Sequence, residues 1–212
     1  MSQQIHHTAN PEVSCERVEL ALQRFYESGD VLWAGSRMAY KWLSANLPAE
    51  YSVLDVGCGA GFGTYLLQPR LVVGIDKQQK SIDFARVVYP RMQWAQWDIA
   101  LSPYPQQFDT VVMAEIIEHI DDWTSALENA KQCARRTVVL TTPNRDAAEP
   151  VEQPTNRQHV REFVFDELAS SFAEGWQVRK YAHATIDKLS TFIEVTDVAA
   201  YSPMMLIARR VA

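Results

Sequence analysis

Residues 53–63 read Val-Leu-Asp-Val-Gly-Cys-Gly-Ala-Gly-Phe-Gly, a carboxylate near the end of an apolar run followed by a glycine at every second position. Glycine has no Cβ, so Gly57, Gly59, Gly61 and Gly63 make a turn on which a ligand can lie directly against the backbone. A helix starting near Gly61 turns its first N–H groups toward the same ligand. The spacing fails the dinucleotide fingerprint G-x-G-x-x-G. Counted from Gly57, the third glycine position is Phe62; counted from Gly59, it is Thr64. Asp55 would also repel a pyrophosphate beside it. A ligand with an amino-acid end and a positive centre suits this carboxylate better.

A second acid, Asp76, closes the apolar stretch Leu71-Val-Val-Gly-Ile-Asp76, 21 positions after Asp55 (76 − 55). That is close to the offset of about 20 at which a carboxylate binds ribose hydroxyls in nucleotide folds. Accepting two hydroxyls at once is a strong, charge-assisted contact. Lys77 is grouped with this site. Asp98 follows Met92–Trp97 and is placed to accept an adenine amino group, with Trp97 and Ile99 near the ring; otherwise it is a solvated loop acid. Cys58 lies inside the glycine loop and is expected to touch the ligand as a small filler, without a nucleophilic role. The acid–base chemistry falls to Glu115-Ile-Ile-Glu-His119 and to His159 in Asn156-Arg-Gln-His-Val-Arg-Glu-Phe163. Imidazole titrates in the range a general base needs. Two plainer roles compete: His119 as a structural bridge at a strand end, and His159 as part of a docking element whose Val160 and Phe163 enter the core. Glu115 is expected to pack beside the ligand. His6, His7 and His183 have no such context.

These residues need strands to carry them to one edge. Short apolar runs predict strands near 51–56, 71–75, 92–96, 108–113 and 136–142, with helices near 61–68, 77–89, 122–134 and 166–174. Apolar strands without alternation are expected where a parallel sheet is covered on both faces. Strands alternating with helices imply right-handed βαβ units and a doubly wound α/β sheet. Helical spacing also marks 14–28 and 36–47. Tyr26, Trp33, Tyr40 and Trp42 give this N-terminal part aromatic surface for a lid or for core packing. One domain over 1–212 is expected, with a helical cap at 1–47 and a core at 48–212. Two long connections, 143–163 and 183–203, are expected to be functional or mobile. The first leaves the carboxyl edge of the sheet and faces the substrate.

The ordered set Val53–Gly63, Val73–Asp76, Asp98, Phe108–Met113 with Glu115–His119, and Thr137–Asn144 resembles the class I S-adenosylmethionine (SAM) dependent methyltransferases. The resemblance runs from about Arg37 to Glu167. One departure is Cys133-Ala-Arg-Arg136, where many relatives carry a glycine pair before the fifth strand. The resemblance implies a Rossmann-like sheet of seven strands completed by Trp176–Tyr181 and Met204–Arg209, the last antiparallel. It implies SAM as cofactor and S-adenosylhomocysteine (SAH) as product. Asp55, Gly57, Cys58, Gly59, Gly61 and Glu115 would surround the methionine end, Asp76 and Lys77 the ribose, Asp98 and Ile99 the adenine. The favoured acceptor is a hydroxyl of a small molecule or saccharide, with His119 and His159 as catalytic candidates. Glu115, Glu118, His119 and His159 are also similar to the metal-binding set of the small-RNA 3′-terminal 2′-O-methyltransferases, which makes metal-assisted methylation of RNA ends an alternative. The same E-x-x-E-H pattern occurs in metal-free relatives such as the ubiquinone-type O-methyltransferases, and a divalent metal is not favoured. A SAM-binding sensor or partner subunit without catalysis is the third reading.

Composition narrows the classes. The 212 residues carry a net charge of −6, and the pI near 5.4 gives no footprint for long nucleic acid, although a local patch stays open. The three unpatterned cysteines, Cys15, Cys58 and Cys133, point to a reducing compartment. No run reaches the roughly 18 apolar residues of a membrane helix, and the first residues lack the basic and apolar regions of a signal peptide. A cytoplasmic monomer or homodimer is expected.

Overall fold

The computed structural model describes residues 34–68, 70–144, 158–172, 174–186, 189–196 and 203–211. The expected helix at 14–28, Tyr26, Trp33, Cys15, His6, His7 and most of the 143–163 connection lie outside them. In chain order the elements are α1 (Ala34–Asn46), β1 (Val53–Val56), α2 (Phe62–Leu66), β2 (Val72–Asp76), α3 (Gln79–Val88), β3 (Gln93–Gln96), β4 (Phe108–Ala114), a 3₁₀ turn (Ile117–His119), α4 (Trp123–Cys133), β5 (Ala134–Pro143), α5 (Phe165–Ser170), β6 (Trp176–Ile186), β7 (Leu189–Val195) and β8 (Pro203–Arg210). The strands form one sheet in the order β3-β2-β1-β4-β5-β8-β6-β7. Pairing is parallel from β3 to β5. It is antiparallel at β5–β8, β8–β6 and β6–β7.

The unbroken apolar runs have a simple cause. Successive residues of a strand point to opposite faces, and both faces are covered. Leu54, Val73, Val111, Val138 and Leu206 join α4, Phe163 and Leu168 in one core. Their neighbours Val53, Val72, Val112, Val139 and Ile207 join Met38, Tyr40 and Leu43 of α1 in the other. β3 departs from the expected pattern: at the sheet edge only Trp94 of its four residues is buried. The helix expected at 166–174 ends at Ser170.

Two expectations are corrected. The sheet has eight strands, where seven were expected, and 183–203 is not one long loop. β6 runs on to Ile186, and β7 folds back on it with His183 opposite Phe192. In Thr191–Val195, β-branched residues surround Phe192, which is buried while its neighbour Ile193 is exposed.

Residues 158–163 lie beside the carboxyl ends of β4 and β5. Phe163 forms a parallel bridge with Asn144, is fully buried, and meets Trp123 edge-on at 5.1 Å between centroids. Phe163 is thus the anchor of this segment, as the sequence implied, whereas Val160 is only half-buried. Phe163→Ala should lower unfolding free energy by about 3–5 kcal/mol, the usual range for deleting a buried ring. Urea denaturation of the variant checks this; a loss below about 1 kcal/mol would mean that the segment is not seated as described.

Candidate functional site

The parallel half of the sheet sets its carboxyl ends side by side, about 4.8 Å apart. In sheet order these ends carry Asp98 just past β3, Asp76 at β2, Asp55 with the glycine loop at β1, the Glu115–His119 segment at β4, and Thr141 and Thr142 at β5. Residues far apart in sequence therefore line one edge.

Asp55 is fully buried and points to the α1 side of the sheet. Its two oxygens accept hydroxyls from Tyr40 of α1 (2.9 Å) and Thr64 of α2 (2.5 Å). Burial pushes this carboxyl up to about 7; the Thr64 and Tyr40 hydroxyls oppose the rise and the charge of Asp76 adds to it. Tyr40 resolves its own two readings: it is core, with burial and the neighbouring Asp55 raising its phenol well above the ordinary value. Trp42 packs edge-on against Tyr181 and donates to the carbonyl of Phe192.

The four glycines divide by function. A Cβ at Gly57 would strike Ile116, one at Gly61 would strike the Trp94 ring, and one at Gly63 would strike the Tyr40 ring at 2.1 Å. Their missing side chains are filled by protein. Gly59 alone of the four, with φ +53, looks into open space. It is the position the protein leaves open, and its N–H donates to Asp76 Oδ2 at 2.9 Å. Asp76 Oδ1 accepts from the Gln78 N–H. Cys58 is buried, and burial, then Asp76 and Asp55, push its thiol well up, so it stays protonated. Asp98 is half-buried and accepts from the Ala100 N–H. Ile99 is buried, with its carbonyl held by Asn129, while Lys77 is exposed. An open glycine beside a partly solvated carboxylate, with a further acid one strand beyond, fits a nucleoside carrying an amino-acid arm.

The second cluster adjoins the first through Ile116, which fills the space at Gly57. Glu115 has left-handed backbone, φ 54, strained for a residue with a Cβ. Its N–H bonds to Thr141 O, and the turn swings Glu118 inward to 1% exposure. Glu118 Oε2 accepts the Thr142 hydroxyl at 3.0 Å. Its carbonyl accepts the N–H groups of Val160 and Arg161, which draws in the segment bearing His159. The rings of His119 and His159 meet at 5.0 Å between centroids. His119 Nδ1 lies 2.7 Å from Gln158 O, and His159 Nδ1 lies 3.2 Å from Glu162 Oε1. Tyr40, Thr64, Thr142 and Glu162 were not read from the sequence as site residues. Glu162 had a local signal, a carboxylate three places after His159; the others have none.

Two measurements test this geometry. The Asp55 carboxyl titrates higher in the fold than its ordinary 3.8, so its contribution favours the fold below about pH 4 and is lost as pH rises through about 7. Asp55→Asn loses one acceptor, a fixed penalty, yet its stability relative to wild type should climb from about pH 4 to about pH 7 and then level off in pH-resolved denaturation. Gly63→Ala should unfold at lower denaturant without any ligand. Gly59→Ala should cost the fold only about 1–2 kcal/mol, for its left-handed φ, while abolishing SAH binding in calorimetry.

Comparisons with known proteins bear on the fold and the cofactor. Residues 53–137 match the model of a family described as "Methyltransferase domain". Over 143 residues the chain is 33% identical to a "Probable S-adenosylmethionine-dependent methyltransferase" of Mycobacterium tuberculosis, covering 63% of this chain and 51% of that one. It is 29% identical to the "Ubiquinone biosynthesis O-methyltransferase" of Histophilus somni, covering 50% of this chain and 49% of the other. The chain spans about half the length of these relatives. The fold is shared with a TehB-like SAM-dependent methyltransferase from Corynebacterium glutamicum (TM-score 0.66, 21% identity, 95% and 100% of the two chains). It is also shared with the 1,6-didemethyltoxoflavin-N1-methyltransferase of Burkholderia thailandensis, crystallised with SAH (TM-score 0.64, 18% identity, 100% and 94%). No described helix is long and apolar enough to cross a membrane. Its strand-tip acids and glycine loop, together with these likenesses, make residues 53–137 similar to the methyltransferase domain of SAM-dependent enzymes.

Proposed function

We propose that this protein transfers the methyl group of SAM to a hydroxyl oxygen of a small molecule or saccharide. The observation that carries the reading is the convergence of His119 and His159 at the turn after β4, whose Ile116 packs against Gly57 of the glycine loop. The name of the Histophilus somni relative supports oxygen as the acceptor atom.

SAM, when bound, supplies a methyl group on a sulfonium that leaves as neutral SAH. The chain's own residues do the rest. Gly59 admits the ligand to the backbone, and Asp76 accepts ribose hydroxyls beside it. Asp98 and Ile99 receive the adenine edge. Asp55 has both oxygens engaged, so it holds the loop from below and places negative charge under the ammonium end. Glu115, at the turn out of β4, closes the methionine side. His119 and His159 orient the acceptor hydroxyl for in-line attack and one of them takes its proton at Nε2, because Nδ1 of each ring is turned to Gln158 or Glu162.

SAH should raise the melting temperature of the wild-type protein; at about 100 times its Kd the gain is about 2.7 kcal/mol. Incubation with methyl-labelled SAM and a deproteinised small-molecule extract should then yield SAH and a labelled, base-stable product. His119→Ala and His159→Ala should keep the SAH shift and slow turnover by about 10²–10⁴-fold. Wild-type rates in both variants would remove the histidines from the reaction. A protein that SAH does not stabilise would sink the whole reading.

A further inference from the structure

We propose that Tyr40 is a positioning residue of the cofactor site: its hydroxyl holds the Asp55 carboxylate in the charged form that meets the ammonium end of the cofactor. Tyr40 does so without touching the cofactor, and the role presupposes the methyltransferase reading above.

Asp55 lies on β1 between Gly74 of β2 and Val112 of β4, whose side chains offer it no donor. It is fully buried, and a carboxylate cut off from water gives up its charge unless donors hold it. Two hydroxyls do so. Tyr40 donates to Oδ1 at 2.9 Å and Thr64 to Oδ2 at 2.5 Å, one donor for each oxygen. Among the described residues, the other ionisable groups acting on Asp55 are Asp76 of β2, which repels it, and the protonated thiol of Cys58 in the glycine loop. None of these groups carries a positive charge. Burial and Asp76 favour the neutral acid, the two hydroxyls favour the anion, and the opposing effects leave the carboxyl at about 7. A group so balanced changes its charge when a single donor is lost.

Tyr40 is suited to be that donor. Burial, then Asp55, raises its phenol well above the ordinary value, so the hydroxyl keeps its proton while Asp55 titrates. The ring lies against the bare backbone of Gly63, where a Cβ would meet it at 2.1 Å, and this contact aims the hydroxyl. The helix that carries it is fixed at the far side of the sheet, where Trp42 donates to the Phe192 carbonyl of β7 at 3.1 Å. Thr64, the other donor, belongs to α2 and moves with the glycine loop; Tyr40 is the donor that a separate element brings. The ammonium end of the cofactor is attracted by the anion and not by the neutral acid. Cofactor affinity therefore follows the ionised fraction of Asp55, and that fraction depends on Tyr40.

The test is SAH calorimetry on the full chain at about pH 6, 7 and 8.5. Wild-type affinity should rise with pH and level off above about 7, as Asp55 ionises. Tyr40→Phe keeps the ring against Gly63 and deletes only the hydroxyl. Losing a hydrogen bond to a charged group moves the titration of the carboxyl up by about one to two pH units. The variant should therefore bind SAH at least about 5-fold more weakly near pH 7, and the gap should narrow toward about pH 8.5. Thr110→Val, which removes a buried hydroxyl without a partner on β4, should bind as wild type does at each pH. If Tyr40→Phe does not fold, Asp55→Asn carries the test: its affinity should be low and constant over the same range. A Tyr40→Phe affinity equal to wild type, or lower by one factor at every pH, overturns the role. So does a wild-type affinity that ignores pH, or an Asp55→Asn variant that keeps the wild-type profile. A wild type that binds no SAH at any pH removes the methyltransferase reading itself, whereas the other outcomes leave that reading standing.

Discussion

A carboxylate withdrawn from water at the tip of a central strand must find hydrogen-bond donors or be neutralised. Asp55 finds them in two different helices, Tyr40 of α1 and Thr64 of α2. The rest of the site follows from this arrangement. Tyr40 can reach Asp55 only by lying across Gly63, which is why that position tolerates no Cβ. Thr64 ties the first turn of α2 to β1, so the glycine loop between them has its two ends fixed. The loop then offers Gly59 outward and spends its other glycines on packing. One buried charge thereby sets the shape of a surface that has to receive a ligand.

The same edge shows how sheet order converts sequence into a site. β1 lies between β2 and β4, so the first acid, the ribose-type acid and the Glu/His turn become neighbours although the chain separates them. Ile116 joins the two regions physically, its side chain filling the space left by Gly57. Displacement of that turn would be felt at both.

Much of this was legible. The parallel strands and most of the helices fell within a few residues of their expected places, because doubly covered strands are apolar without interruption and bounded by turn residues. Asp55, Asp76 and Asp98 announced themselves as acids at strand tips, and His119 and His159 were singled out although forty positions separate them (159 − 119). What escaped was set by tertiary contact. Nothing local in α1 says that Tyr40 caps Asp55, or that Thr142 leans on Glu118. The glycines were read as one ligand surface because a pattern of missing side chains does not say what fills the space. β7 was missed because a short strand at a sheet edge, half-exposed and next to charged residues, reads as a loop until its partner is known. β3 misled in the opposite sense: expected to be buried on both faces, it is an edge too.

The seating of α1 ties the beginning of the described chain to its far end. Trp42 donates to the Phe192 carbonyl across 150 positions of sequence and packs on Tyr181, and the same helix supplies the donor for Asp55. Such non-local closure is slow, because much chain must be ordered before the contact rewards it. During synthesis the central strands and the glycine loop emerge well before β6 and β7 exist. The helix that completes the loop therefore has no floor to dock on until β6 and β7 have left the ribosome. Completion of the loop waits for β7, and a chain that stops short of it would carry every strand-tip acid and still lack the contacts that seat α1.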